Sequence, residues 1–581
     1  MASIPVVVKH QGKKHEVEVD PTTDGATFKL QLFSLTGVEP ERQKIIVKGG
    51  QLKDDADMSK LGLKPNQTLM MMGTPSGDAN NIVRPKEKMK FLEDMTEAEA
   101  AQSEGATPAG LQNLGNTCYM NSTLQILRSI PELQDELMHY SPSNAGSSSV
   151  SQLSQFGLSG LGASMDLTGS LRDLFKQMSE TQQGFPPLMF LNTLRTAFPQ
   201  FAQKAKDGHG YAQQDAEEAW SQIVSQLRQK LKIKDIPGAS DGQAAKDLSF
   251  IDKYMAGKFE SDMECDEPAA KEMGEEPTHS EDVFFKLNCH ITVETNHLRE
   301  GLAAGLKEQI EKRSEVLGRD ALYTKTSHIA RLPKYLTVHF VRFDWRRTTG
   351  KKAKIMRKVT FPEELDVVEF CTDDLKKLLI PVRDKIRDIR KEEEDVERAR
   401  KRQRRIKAGE DVEMSSSGGK EPLQKKSEAK KAAEKDTTND EDTEMADVEY
   451  KTEEQIEAER AASILNAKKE LLGLVDSKLA ADEGANQTGL YELRGVITHQ
   501  GASADSGHYT SFVKKQGPKD PVTGKRKVED GKWWWFNDDK VSEVDSERIQ
   551  TLSGGGQSHS ALILLYRAVP LTSIDEEDPK A

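Results

Sequence analysis

Gly110-Leu111-Gln112-Asn113-Leu114-Gly115-Asn116-Thr117-Cys118-Tyr119-Met120-Asn121-Ser122 sets a cysteine between a polar turn and the start of a helix. Met120, Leu124 and Leu127 recur at helical spacing, Thr117 is the expected N-cap, and Ile130-Pro131 ends the run. Cys118 then lies in the first turn, where the helix dipole and unpaired amides favour thiolate, the nucleophilic form. Most free cysteines are buried and inert, so this segment needs a chemical partner before it means catalysis.

The partner lies near the other end of the chain. Tyr491, Leu493, Gly495 and Ile497 alternate along one expected strand; a Gly/Ser loop follows, then a second strand opens at Gly507-His508-Tyr509. A third strand, Trp533-Trp534-Trp535-Phe536, ends at Asn537-Asp538. In an antiparallel arrangement Asn537 lies beside His508 and orients its ring, with Asp538 as the competing orienter or a second polar support. Nucleophile, base and orienter are what a cysteine hydrolase requires. Asn113, five residues before Cys118, can add a side-chain amide to the backbone N–H of Cys118 as oxyanion donors.

The Cys box from Asn113 to Ser122 and the His box from Tyr491 to Val513 resemble those of the ubiquitin-specific proteases, papain-like cysteine peptidases. Three further stretches match in order: Gln213-Gln214-Asp215-Ala216-Glu217-Glu218, Leu332 to Phe343, and Val359-Thr360-Phe361-Pro362, the last taken as a return strand. The resemblance implies an α+β chain with a thumb, palm and fingers catalytic domain over 105–570 that hydrolyses the isopeptide bond at the C-terminal glycine of ubiquitin. It implies that Asp215 binds the backbone of the extended ubiquitin tail, with Gln214 and Tyr509 beside it. Many members carry Asp where Asn537 stands. Many also hold zinc in the fingers with two Cys-x-x-Cys pairs; here Cys265 and Cys289-His290, in fingers expected around 255–300, stand without such partners, so no metal and no other cofactor is expected.

Residues 3–74 run strand, turn, strand, helix, strand, ending in Thr68-Leu69-Met70-Met71-Met72. The order is similar to ubiquitin and implies a β-grasp ubiquitin-like domain. Gly73-Thr74-Pro75-Ser76 replaces a diglycine tail, so the domain reads as a permanent fusion. This combination resembles the proteasome-associated branch of the family, which implies docking on the 26S proteasome regulatory particle through Ile46 and Met72, stimulation there, and recycling of ubiquitin. In that branch the loops equivalent to Asp344–Met356 and Gln500–Ser506 obstruct the cleft until docking. A mainly non-catalytic ubiquitin-binding regulator is the alternative.

With 95 acidic and 82 basic residues among 581, the net charge of −13 argues against nucleic-acid binding. Four scattered cysteines fit no disulfide framework, and no apolar run reaches a membrane span, so a cytoplasmic and nuclear protein, monomeric when free, is expected. Residues 75–104 read as a flexible linker and 571–581 as an acidic tail. The insert at about 383–450, with its basic run from Arg398 to Arg405, reads as a solvated charged helix leading into disorder. His499 is expected at a strand end near the site and His209 in a loop.

Overall fold

The computed structural model describes the chain apart from residues 1–2, 12, 48–49, 66, 74–94, 104, 142–165, 206–209, 234–247, 347–350, 408–452, 504–505, 518–525, 527, 557 and 572–581. It divides into two units, Met1–Asp94 and Met95–Ala581. His209, most of the expected linker, the centre of the insert and the acidic tail lie outside the described residues.

In the first unit, Val6, Val8, Val17 and Val19 point inward from a hairpin, Ile4–His10 with Lys13–Val19, onto Phe28 and Leu32 of the helix Gly25–Thr36. Asp24 caps that helix by accepting from the Thr27 N–H at 2.9 Å, and Gly37, at φ 68°, ends it. The sheet runs in the order Lys13–Val19, Ile4–His10, Gln67–Met72, Lys44–Val47, Gly50–Gln51, with the first and last long strands, Ile4–His10 and Gln67–Met72, parallel. This is the ubiquitin-like β-grasp. Ile46, Met70 and Met72 remain about half exposed on its strands, and Ile46 pairs opposite Met70.

In the second unit the helix Cys118–Arg128 is buried along its length as far as Leu127. Tyr119 stacks on Phe201 at 5.8 Å between ring centroids, and Ile126 lies so close to strand Leu490–Ser503 that a Cβ on Gly495 would stand 2.7 Å from its Cδ1. Seven strands follow in space as Leu287–His290, Tyr335–Val341, Ser560–Ala568, Leu490–Ser503, Ser506–Lys514, Trp533–Asn537 and Lys540–Val544. The apolar run Ala561 to Tyr566 is buried on both faces: Leu562, Ile563 and Leu565 join the core of the Cys118 helix, while Ala561, Leu564 and Tyr566 join a second core behind the sheet. The fingers extend further than expected, to Arg331, as a four-stranded sheet of Lys307–Arg313, Asp320–Arg331, Gly257–Cys265 and Thr278–Phe284. Cys265 and Cys289 pack in different apolar clusters.

Four expectations need correcting. Val359 to Pro362 is not a return strand; Thr360 makes a single bridge to His297, and the short strand is Glu364–Asp366. Buried Arg342 holds the preceding segment irregular by donating to the carbonyls of Ala561 at 2.8 Å, Arg357 at 2.9 Å and Ser553 at 3.1 Å, and Pro362 has no N–H to offer a ladder. Within the expected linker, Glu97–Ala101 is helical, started by a capping box between Thr96 and Glu99. The loop Asp344–Met356 is a hairpin of Phe343–Arg346 with Lys351–Lys354, and Ala353 pairs with Ser503 of the long strand.

The fourth is the insert, whose first helix packs against the domain instead of standing in solvent. Asp373–Lys407 is one helix, and Glu453–Leu474 returns beside it. Val382, Ile386 and Ile389, spaced i, i+4, i+7 amid charge, pack with Leu471, Leu490 and Val569. Ion pairs Lys385–Glu470 and Lys468–Glu393 border that seam. Further out, Glu394–Arg398 and Glu397–Lys401 are i, i+4 pairs, as expected of a solvated charged helix. Leu471→Ala should cost about 2–5 kcal/mol locally. Hydrogen exchange should accelerate in both helices while Ser560–Ala568 stays protected; equal acceleration in that central strand would contradict a separate cluster.

Candidate active site

Cys118 is the first residue of its helix, and the turn before it is tied by side chains. The Asn113 side-chain oxygen accepts from the N–H groups of Gly115 and Thr117, both at 3.1 Å. Thr117 does occupy the N-cap position, but its hydroxyl makes no capping bond to the helix; it accepts from the Leu114 N–H at 2.9 Å. The helix's orphan amides are thus not quenched by a cap, and the N–H groups of Cys118 and Tyr119 face the Cys118 sulfur, where they favour negative charge. With its oxygen turned into the loop, the Asn113 amide nitrogen points outward and donates to Asp538 at 3.0 Å. A primary amide has two hydrogens, so one is left for an oxyanion.

His508 opens its strand as expected, and Asn537 ends the neighbouring one. His508 Nε2 and Asn537 Oδ1 are 2.6 Å apart. An amide oxygen can only accept, so this contact puts a proton on Nε2 and leaves the lone pair of Nδ1 to take another. Asp538, at φ 53°, is 4.0 Å from the same Nε2 and instead receives the amides of Asn121 at 2.8 Å and Asn113. Asn537 is therefore the residue bonded to His508, while Asp538 joins the Cys118 segment to the His508 sheet. Asn121 was not singled out from the sequence; its signal is a buried amide one helical turn after Cys118, which also donates to the Leu111 carbonyl at 3.1 Å. Close backbone approach completes the join: a Cβ on Gly110 would lie 2.5 Å from the Asp539 carbonyl oxygen.

The backbone N–H of Tyr509, the residue after His508, faces the sulfur of Cys118. This brings nucleophile and base strands together. Burial pushes the thiol up to about 11, the Asp538 carboxylate adds to the rise, and the Tyr509 N–H only partly offsets them. The expected thiolate at a helix start is therefore outweighed by desolvation, and the free protein holds a thiol. Burial also pushes His559 down to about 4 and His499 to about 3, with nearby cationic groups assisting, so both are neutral imidazoles at pH 7. His499 is a buried mid-strand residue paired with Tyr509, rather than a strand end. Lys354 of the flanking hairpin, pushed down to about 8 chiefly by burial, donates to the His499 carbonyl at 2.7 Å.

Asp215 caps the helix Ala216–Lys230, accepting from the Glu217 N–H at 2.9 Å, and Gln214 donates to the Ala212 carbonyl at 3.4 Å. Glu217 turns to Lys286 and Ser221; these contacts overcome its burial and lower its carboxyl. Tyr509 is wholly buried, so its ring packs the core and its backbone faces Cys118. Ile46 and Met72 belong to the other unit. Among the described residues no group of three or more His, Cys, Asp or Glu could hold a metal, and no helix is long and apolar enough to cross a membrane.

Comparison with known proteins agrees with this geometry. The family described as ubiquitin carboxyl-terminal hydrolase matches residues 109–566, and the ubiquitin family matches residues 6–76. Ubiquitin carboxyl-terminal hydrolase 6 of Schizosaccharomyces pombe is 42% identical over 97% of this chain and 99% of its own. Ubiquitin carboxyl-terminal hydrolase 7 of Arabidopsis thaliana is 40% identical over 97% and 99%, and hydrolase 14 of Caenorhabditis elegans 30% identical over 99% and 96%. The chain belongs to the ubiquitin carboxyl-terminal hydrolase family, as a cysteine deubiquitinase that carries an N-terminal ubiquitin-like domain.

Proposed function

We propose that Cys118, His508 and Asn537 are the catalytic triad, that Asn113 and the Cys118 N–H receive the oxyanion, and that the enzyme recycles ubiquitin from proteasome-bound conjugates. The observation that supports the triad most directly is the 2.6 Å contact of His508 Nε2 with Asn537, on strands that pack against the helix begun by Cys118. His508 Nδ1 takes the thiol proton, and the sulfur attacks the carbonyl of ubiquitin's terminal glycine. The oxyanion draws on the two donors. His508 returns the proton to the departing lysine amine, leaving a thioester. Water, deprotonated by the same imidazole, then releases ubiquitin and restores the thiol.

The protonated, buried thiol supports an enzyme of low activity alone. Docking through the exposed Ile46, Met70 and Met72 would place it on the proteasome regulatory particle, where stimulation requires that the cleft change so that the thiol can ionise. Asp215, at the start of its helix, is proposed to receive the ubiquitin tail.

Asn537→Ala should lower kcat for ubiquitin-amidomethylcoumarin by about a hundredfold or more, and Asn537→Asp should retain most of it, because both Asn and Asp offer the acceptor. Equal losses in both variants would overturn the orienter role. Iodoacetamide should alkylate Cys118 in the free protein roughly a hundredfold more slowly at pH 8 than an ordinary exposed cysteine, the rate rising as pH climbs toward 11 and thiolate forms; rapid alkylation already at pH 7 would contradict a neutral thiol. Deleting residues 1–74 should abolish co-purification with proteasomes and leave basal hydrolysis intact. Retained binding would refute docking through the ubiquitin-like domain.

A further inference from the structure

The turn that delivers Cys118 is held from two sides, and only one of them belongs to the site described above. Gly115 and Asn116 are consecutive left-handed residues, at φ 91° and 56°, just before Thr117 and Cys118. Asparagine tolerates that conformation, but an amide there is free to bond elsewhere. Bonds within the turn, from Asn113 to Gly115 and Thr117, fix its curl without fixing where it stands. On one side Asn113 reaches Asp538. On the other the Asn116 side-chain amide donates to the Tyr211 carbonyl at 3.0 Å, across 95 residues of chain.

Tyr211 is itself anchored through its ring. The Arg195 guanidinium carbon lies 3.5 Å from the ring centroid and the Lys204 ammonium 4.1 Å from it. Arg195 comes from the last turn of the helix Leu188–Ala197, a core element that carries Phe190, Leu191 and Leu194 inward. Lys204 and Tyr211 also face each other as a β-bridge, and the Ala212 N–H donates to the Gln203 carbonyl at 2.9 Å. Each cation is attracted to the half-buried ring by its quadrupole, though the two positive charges repel each other. Their effect is to hold the Tyr211 carbonyl still, where the Asn116 amide finds it.

We propose that Tyr211 and Asn116 are positioning residues for the Cys118 turn: the Arg195–Tyr211–Lys204 stack fixes the carbonyl that seats Asn116, and this seat aims the Cys118 N–H and the Asn113 amide at the oxyanion. Neither touches the reacting atoms. The inference rests on the Cys118 mechanism proposed above and assigns it a second support, opposite Asp538. An oxyanion donor displaced by about an ångström costs turnover more than binding, since the full charge exists only in the transition state.

The test is steady-state ubiquitin-amidomethylcoumarin hydrolysis by the full chain, with iodoacetamide alkylation of Cys118 measured beside it. Asn116→Gly keeps the left-handed conformation and removes only the amide. Its kcat should fall by about ten- to a hundredfold with KM within about twofold of the parent, while alkylation, which needs no oxyanion donor, is unchanged. Tyr211→Leu should behave alike, Tyr211→Phe should match the parent because the ring is retained, and the Asn116→Gly/Tyr211→Leu double variant should be no worse than the poorer single. Should Tyr211→Leu lower the melting temperature, Lys204→Met, at an exposed position, replaces it, with a smaller kcat loss of the same kind. Parent kcat in Asn116→Gly, additive losses, or a loss confined to KM would overturn the proposal. Cys118→Ala as a control separates the two claims: if it retains hydrolysis, the mechanism itself fails, and if it alone is inactive, only the positioning role fails.

Discussion

The whole catalytic unit depends on burying one helix, Cys118–Arg128, against the strands that carry His508 and Asn537. Every residue from Cys118 to Leu127 is buried, including four polar ones, Asn121, Ser122, Thr123 and Gln125. Polar groups inside a core are mostly bonded, and two of these reach outside the helix: Asn121 to the Leu111 carbonyl and Asp538, Gln125 to the Ala109 carbonyl at 2.9 Å, whereas Thr123 donates to the Tyr119 carbonyl within it. Core formation and active-site assembly are therefore one event. The helix cannot pack without placing its first residue, the cysteine, against the strand that carries His508 and Tyr509.

The same burial sets a conflict in the chemistry. A helix start stabilises an anion, but a sulfur shielded from water and near the Asp538 carboxylate loses more than it gains, and the thiol rises to about 11. Asp538 explains why that cost is retained. Its carboxylate gathers Asn113 and Asn121 from the cysteine side while Asn537, one residue earlier, holds the histidine. Consecutive residues thus register the two halves of the site, with a left-handed backbone at Asp538 turning the two side chains to different partners.

Much of this was legible in the sequence because the chemistry needs few residue types in fixed local settings. The helix after Cys118 and the strands bearing His508 and Asn537 follow from period and turn residues, and the ubiquitin-like fold from its resemblance to ubiquitin. What failed to be read depends on contacts distant in sequence. Arg342 ties Arg357, just before Val359 to Pro362, to Ser553 and to Ala561, 219 residues away, through three carbonyls. Val382, Ile386 and Ile389 are too thinly spread among charges to announce a packed face on the expected helix, and their partner, Leu471, lies beyond the insert. Asn537 and Asp538 could be ordered only by distance, 2.6 against 4.0 Å from the same nitrogen. Desolvation of Cys118 is likewise a tertiary property, invisible to a local reading of the helix start.

The central claim is that one buried thiol, Cys118, carries the reaction with ubiquitin. Reacting the full chain with ubiquitin vinyl sulfone and mapping the adduct by peptide mass spectrometry tests it most directly. The account predicts a single adduct, on Cys118, absent in Cys118→Ala, with Cys265, Cys289 and Cys371 unmodified. An adduct on any of those three, or one that persists in Cys118→Ala, would contradict it.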